Sequence, residues 1–200
     1  DTSAPAVDSK WGKPVGSAGR TVTAKDGQPW KPEHRVAGKT GYAYSFGGDA
    51  EKRYIAIPYS EALEFGAGDF SIGYWVKATA ASGALVVKTT TFPFFMFHWD
   101  AGGRGRFMFR GADAQATAVM VTKKPLNDGV WHHVVFSLRK AKDVRVCVDG
   151  KLDAALPTGD LGTFSKKAAI GLGGYGYANG YYDGLMDSFR IYGKALTEEE

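Results

Sequence analysis

From residue 41 to residue 192 the chain falls into short runs of alternating apolar and polar residues, separated by turns rich in glycine and aspartate. Strands satisfy a period of two and helices do not, so this pattern constrains the fold more than any other feature. In residues 69–77, Phe70, Ile72, Tyr74 and Val76 share one face, which is expected to be core. Residues 42–46 alternate, Gly47-Gly48-Asp49 turns, and 54–57 resumes as a second strand. Residues 60–65 suit one short helical turn, ended by Gly66 and Gly68. Residues 84–88, 92–99, 105–110 and 116–121 are predicted as further strands at the spacing of sandwiches and jelly rolls. Asp149-Gly150, between the alternating runs 144–148 and 151–153, is a strong hairpin signal. With 27 glycines, 14% aromatics and 44% hydrophobic residues in 200, one all-β sandwich domain is expected, with little helix.

The closing run, residues 183–192, carries apolar groups on both faces and is predicted to be a central strand. Strict alternation puts Asp187 with Leu185, Phe189 and Ile191. A carboxylate there needs hydrogen bonds, an ion pair or a metal. Phe94-Phe95-Met96-Phe97-His98-Trp99 is also aromatic on both faces, so either loops cover its outer side or that side is a ligand platform.

Several function classes are disfavoured. The net charge is +4 and the pI about 9.0, but the cations are scattered in pairs, as a solvated surface has them and a nucleic-acid footprint does not. A weakly basic face suits an anionic glycan. The single Cys147 rules out an intrachain disulfide, and no apolar run is long enough to insert in a membrane. Residues 1–40, with Pro5, Pro14, Pro29 and Pro32, are expected to form an irregular wrap with one short strand, part of the same domain. The chain begins without Met and stops in a helix-like Leu196-Thr197-Glu198-Glu199-Glu200, so it is expected to be a piece of a longer protein, with other domains of that chain as neighbours.

Catalytic signatures are missing from the string. Gly38-Lys39-Thr40 lacks the upstream glycine of a phosphate loop, because Glu33 stands there. Gly171-Leu172-Gly173-Gly174-Tyr175-Gly176 fits a dinucleotide pattern, but the residues after it are a poor helix. His132 and His133 are adjacent in a strand and face opposite ways, which disfavours a shared metal, and at least one is expected to be structural.

Two sets of residues carry a resemblance. Gly129-Val130-Trp131-His132-His133-Val134 with Val146-Cys147-Val148-Asp149-Gly150 resembles the W-H-H-V and V-D-G hairpin of laminin-G-like domains of the concanavalin A-like lectin/glucanase superfamily. Gly184-Leu185-Met186-Asp187-Ser188-Phe189-Arg190-Ile191-Tyr192, followed by Lys194-Ala195-Leu196-Thr197, is similar to that family's last strand, and residues 69–77 to its F-[ST]-[IV]-x-x-W-[VI]-K strand. The resemblance runs from about residue 41 to the end. It implies a two-sheet antiparallel jelly roll and, often, one structural calcium on the rim. Carried over, it makes Asp187 a calcium ligand opposite the Gly47-Gly48-Asp49 turn, with Asp49 and Gly48 completing the set; calcium takes roughly six to eight oxygens. Position 188 is Ser where the family often has an acid. The alternative is that Asp187 accepts backbone amides without a metal.

The same fold serves β-glucanases, but their E-x-D-x-x-E strand, which holds two carboxyl groups about 5 Å apart, has no counterpart here. The resemblance therefore implies a non-catalytic, secreted or cell-surface module that binds carbohydrate, appended to a larger enzyme or surface protein. The expected glycan contacts are Tyr175, Tyr177, Tyr181 and Tyr182 in the glycine-rich loop, then His98 and Trp99, with Arg104 and Arg106 for acidic groups. The tyrosines serve equally well as a cap on the sandwich. An adhesion or spacer domain and an atypical hydrolase or lyase are the other readings.

Overall fold

The computed structural model describes residues 28–29, 31–88, 93–112, 117–165, 167–174 and 180–200. Along them run β1 (Gln28–Pro29), β2 (Arg35–Ala37), β3 (Tyr42–Gly47), a single helical turn α1 (Gly48–Glu51), β4 (Arg53–Ile57), β5 (Phe70–Lys77), β6 (Ala84–Lys88) and β7 (Phe94–Trp99). β8 (Arg104–Arg110), β9 (Ala118–Pro125), β10 (His132–Arg139), β11 (Asp143–Val148), β12 (Lys151–Pro157), β13 (Ile170–Leu172) and β14 (Asp183–Tyr192) follow. Two sheets result, ordered β12-β11-β10-β5-β14-β3-β2 and β1-β4-β13-β6-β7-β8-β9. Every pairing is antiparallel except β1 with β4. This is the two-sheet jelly-roll sandwich expected, and β14 is central in its sheet, between β5 and β3.

Aromatic rings hold the two sheets together. Phe136 of β10 stacks on Phe109 of β8 with centroids 4.3 Å apart, and Phe97 of β7 meets Phe136 at 5.2 Å. Phe70, Ile72, Tyr74 and Val76 are all buried, as their alternation requires. On β7 both faces are buried. Phe95, Phe97 and Trp99 belong to the main core, while Phe94 and Met96 pack with Ala84, Val87 and Met108 in a second cluster.

The resembling hairpin has a structural use. Asp149 accepts the His133 amide at 2.8 Å and His132 Nδ1 at 2.8 Å, while Asp128 takes His132 Nε2 at 3.1 Å and the Val130 amide at 3.1 Å. Each ring nitrogen faces a carboxylate, an arrangement that favours the imidazolium over the neutral ring. Burial, the largest single influence, lowers its pKa, but the hydrogen bonds and charges of Asp149 and Asp128 together outweigh it and raise the pKa.

β14 departs from strict alternation. The register slips between Asp187 and Arg190, where Ser188 adopts a φ of 50°. This bulge adds one residue, so Met186, Phe189 and Ile191 all reach the core although 186 and 189 differ in parity. Asp187 is thereby placed outside that core, opposite Trp75.

Candidate functional site

The expected calcium set does not come together. Asp183 pairs with Gly47 and Met186 with Tyr44, so Asp183 is the acid facing the Gly47-Gly48-Asp49 turn. Asp187 lies four residues further on, roughly 13 Å along the strand. Its carboxylate is buried beneath residues 38–40: Oδ2 accepts the Thr40 amide at 2.9 Å and Oδ1 accepts Ser188 Oγ at 3.1 Å. A Cβ on Gly38 would stand 2.7 Å from Oδ2. Asp49 instead accepts the Tyr181 amide at 2.9 Å. Asp187, Asp49 and Gly48 thus do not fit one calcium ion, and no cluster of three or more His, Cys, Asp or Glu able to hold a metal exists among the described residues. β14 thus brings Asp183, and not Asp187, to the Gly47-Gly48-Asp49 turn.

The tyrosine loop also divides. Tyr175 and Tyr177 lie outside the described residues. Tyr182 is 0% exposed, a core residue whose hydroxyl donates to the Lys77 and Leu185 carbonyls at 3.1 and 3.0 Å, and burial pushes its pKa well above the ordinary phenol range. It is therefore no ligand contact. Tyr181 packs against Tyr54 and bridges to Ala84, so it is buried too. Gly83 makes this tuck possible: its φ is +72° and a Cβ there would lie 2.1 Å from the Tyr181 carbonyl carbon.

Beside that tuck is an open groove of about 510 Å³, lined by Asp49, Ala81, Ser82, Gly83, His98, Trp99, Asp100, Ala101 and Arg106. Three expected contacts, His98, Trp99 and Arg106, meet here, and Asp49 joins them. Four elements supply the walls: α1, the loop leading into β6, the end of β7 with its turn, and β8. The β7–β8 turn is locked by Asp100, which accepts the amides of Gly102 at 2.8 Å and Arg104 at 2.9 Å. The Arg104 guanidinium is held on the same carboxylate, with Nε 2.7 Å from Oδ2. Burial alone raises the Asp100 pKa, but the Arg104 and Gly102 bonds outweigh it and keep the group ionised. Arg104 is thus committed to its own turn and does not line the groove.

His98 donates from Nδ1 to the Trp99 carbonyl at 2.8 Å, which leaves Nε2 to accept toward Arg106 Nη1 at 3.5 Å. Burial above all, with the nearby Arg106 charge, lowers the His98 pKa against the pull of the Trp99 carbonyl and Asp100, so the ring is neutral at pH 7. Trp99 is 6% exposed and packs against Tyr182 at 6.3 Å, so it forms the floor and is not a free stacking platform. Its Nε1 and Ser82 Oγ are buried with no hydrogen-bond partner among the described residues. Sequence reasoning missed Ser82 and Asp100, because a serine and an aspartate in turns carry no signal that a groove passes them.

A family model described as the concanavalin A-like lectin/glucanases superfamily, Laminin_G_3, matches residues 48–200. No curated protein matches the sequence. Among solved structures, the binding domain of Paraclostridial Mosquitocidal Protein 1 superposes with a TM-score of 0.69 at 16% identity, over 82% of this chain and 43% of that one. Domain 4 of AbnA, a GH43 extracellular arabinanase from Geobacillus stearothermophilus, in complex with arabinotriose, gives 0.65 at 22% identity, over 82% and 77%. The Ruminococcus gnavus IT-sialidase CBM40 bound to α2,3 sialyllactose gives 0.60 at 15% identity, over 78% and 92%. The chain spans less than half of the toxin domain it matches. These likenesses show a shared fold.

Proposed function

The chain belongs to the laminin-G-like family of the concanavalin A-like lectin/glucanases superfamily, and from that premise we propose that it is a non-catalytic, extracellular carbohydrate-binding module of a larger protein. The observation that carries this reading is the groove of about 510 Å³, a volume suited to a small oligosaccharide unit. Its walls alternate polar groups (Asp49, Ser82, Arg106) with the small apolar residues Ala81 and Ala101. A sugar presents the same mixture of hydroxyls and CH faces. Ser82 Oγ and Trp99 Nε1 lie buried beneath that wall with no hydrogen-bond partner among the described residues. Among solved neighbours, the arabinanase domain is in complex with arabinotriose and the CBM40 is bound to α2,3 sialyllactose, which supports the class of ligand. No pair of carboxyl groups on one strand face accompanies the groove among the described residues, so the reading is binding without turnover.

The test is a glycan screen followed by titration with Arg106→Ala. Arg106 is only half-buried and, among the described residues, its guanidinium hydrogen-bonds only to His98, so the fold tolerates its loss. Losing a charged hydrogen-bond donor costs a ligand about 1.5–3 kcal/mol, a weakening of roughly 10- to 100-fold at unchanged melting temperature. Trp99→Ala and Tyr181→Ala are poor probes, because both side chains are packed and their removal unfolds as readily as it unbinds. A bound glycan whose affinity ignores Arg106→Ala and Ser82→Ala sinks the proposed site.

A further inference from the structure

Which sugars the groove takes follows from how its charges are paired. Asp100 is neutralised within its turn by Arg104, whose Nη2 also stands 2.7 Å from Oδ2. His98 is neutral. Two uncompensated charges remain in the lining, Asp49 and Arg106, and neither forms an ion pair among the described residues. Among the described residues Asp49 is fixed at one oxygen: Oδ1 takes the Tyr181 amide, and Gly180, with φ +90°, brings its backbone so close that a Cβ would lie 3.1 Å from Oδ2. The carboxylate is therefore held from one side, and its second oxygen accepts no hydrogen bond among the described residues.

Resting on the glycan reading, we propose that this groove selects neutral polyhydroxylated sugars over acidic ones, and that Asp49 sets the preference. A hydroxyl both donates and accepts, so neighbouring hydroxyls of one neutral sugar satisfy Asp49 Oδ2 and the Arg106 guanidinium together. A uronate or sialate satisfies Arg106 but meets Asp49 as a like charge. An amino sugar does the reverse. The acidic partner suggested by Arg104 and Arg106 as a basic pair loses its basis, because Arg104 is already bound to Asp100 and an unpaired acid shares the groove with Arg106. The positive net charge of the whole chain does not decide this, since charges beyond a Debye length of about 8–10 Å are screened.

The experiment titrates the intact chain with matched pairs: lactose against 3′-sialyllactose, digalactose against digalacturonate, and cellobiose against cellobiouronate. Amide resonances of Gly83 and Gly102 report on the groove. The expected result is that the neutral member of a binding pair is tighter by about tenfold at low ionic strength, and that salt narrows the gap. Asp49→Asn keeps the shape and is expected to close the gap, weakening the neutral sugar and admitting the acidic one. If an acidic sugar binds the groove as tightly as its neutral partner, and loses affinity in Arg106→Ala, the selectivity is wrong while the glycan reading stands. If Asp49→Asn leaves the preference unchanged, Asp49 does not set it. If no pair moves the groove resonances at millimolar concentration, the glycan reading fails and this inference with it.

Discussion

Removing the Asp187 carboxylate is the sharpest way to ask what the most prominent aspartate of the chain does. Asp187→Ala deletes an acceptor that is 3% exposed and serves the Thr40 amide at 2.9 Å and Ser188 Oγ at 3.1 Å; a third contact, Thr40 Oγ1 at 3.4 Å, is long and adds little. Each good bond to a charged acceptor contributes about 1.5–3 kcal/mol, but burying the carboxylate itself costs part of that, so the net loss is about 2–3 kcal/mol. For a chain of this size each kcal/mol lowers Tm by roughly 2–4 °C, which gives a drop of about 4–12 °C. Asp187→Asn keeps one acceptor and is expected to lose about half as much. Calorimetry with and without EDTA, together with hydrogen exchange at the Thr40 amide, separates a latch from a metal ligand. A latch leaves the wild-type Tm indifferent to EDTA and deprotects the Thr40 amide in Asp187→Ala. If EDTA lowers the wild-type Tm by as much as the substitution does, and has no effect on the variant, Asp187 is a calcium ligand and the reasoning from its hydrogen bonds is refuted.

Other expectations test separate parts of the fold. The raised pKa of His132 means that its clamp stabilises fully below about pH 6.5 and weakens as pH rises through the folded value; urea unfolding of wild type and His132→Gln from pH 5.5 to 8.5 should show their gap shrinking with pH, and a widening gap contradicts it. Gly83→Ala forces a Cβ to within 2.1 Å of the Tyr181 carbonyl carbon at a φ of +72°, so a loss of about 4 kcal/mol or failure to fold is expected in expression and melting assays. Lys88 is buried, donates to the Leu63 carbonyl at 2.6 Å and lies over the Phe65 ring, and burial lowers its pKa against the opposing charge of Glu64. Its long stem fills space that methionine also fills, so Lys88→Met should stay within about 1 kcal/mol of wild type while Lys88→Ala loses about 3 kcal/mol. Equal losses in the two would show that the ammonium matters more than the stem.

Strands, sheet count and core were legible because each rests on a local period. Phe70, Ile72, Tyr74 and Val76 needed only their alternation, and the Asp149-Gly150 turn needed only two left-handed residues, with φ of 51° and 76°. The errors arose where one residue or one close approach changes the geometry. A bulge at Ser188 is invisible to a period of two, yet it moves Asp187 off the face shared by Phe189 and Ile191. Tyr182 looked exposed because glycines surround it. Those same glycines, Gly83 among them, let the backbone close in so that the ring enters the core.

The candidate site was half legible for a related reason. Aspartates in turns attract attention as metal ligands, but most of them here accept the amides of the turn they sit in or against: Asp100 from Gly102 and Arg104, Asp128 from Val130, Asp149 from His133, Asp160 from Gly162 and Asp187 from Thr40. A carboxylate used in this way has little capacity left for a ligand. Asp49 also takes an amide, that of Tyr181, but among the described residues it does so with one oxygen and from a groove wall that also carries Arg106. What distinguishes a binding acid from a structural one in this fold is therefore the oxygen left over after the turn is satisfied. That count requires the positions of Gly180 and Tyr181, which approach Asp49 from about 130 residues away in sequence. No motif that spans a few neighbouring positions contains it, and for this reason the resemblance drew attention to the last-strand aspartate, which accepts the Thr40 amide, while the acid proposed to meet a ligand sits at the start of α1.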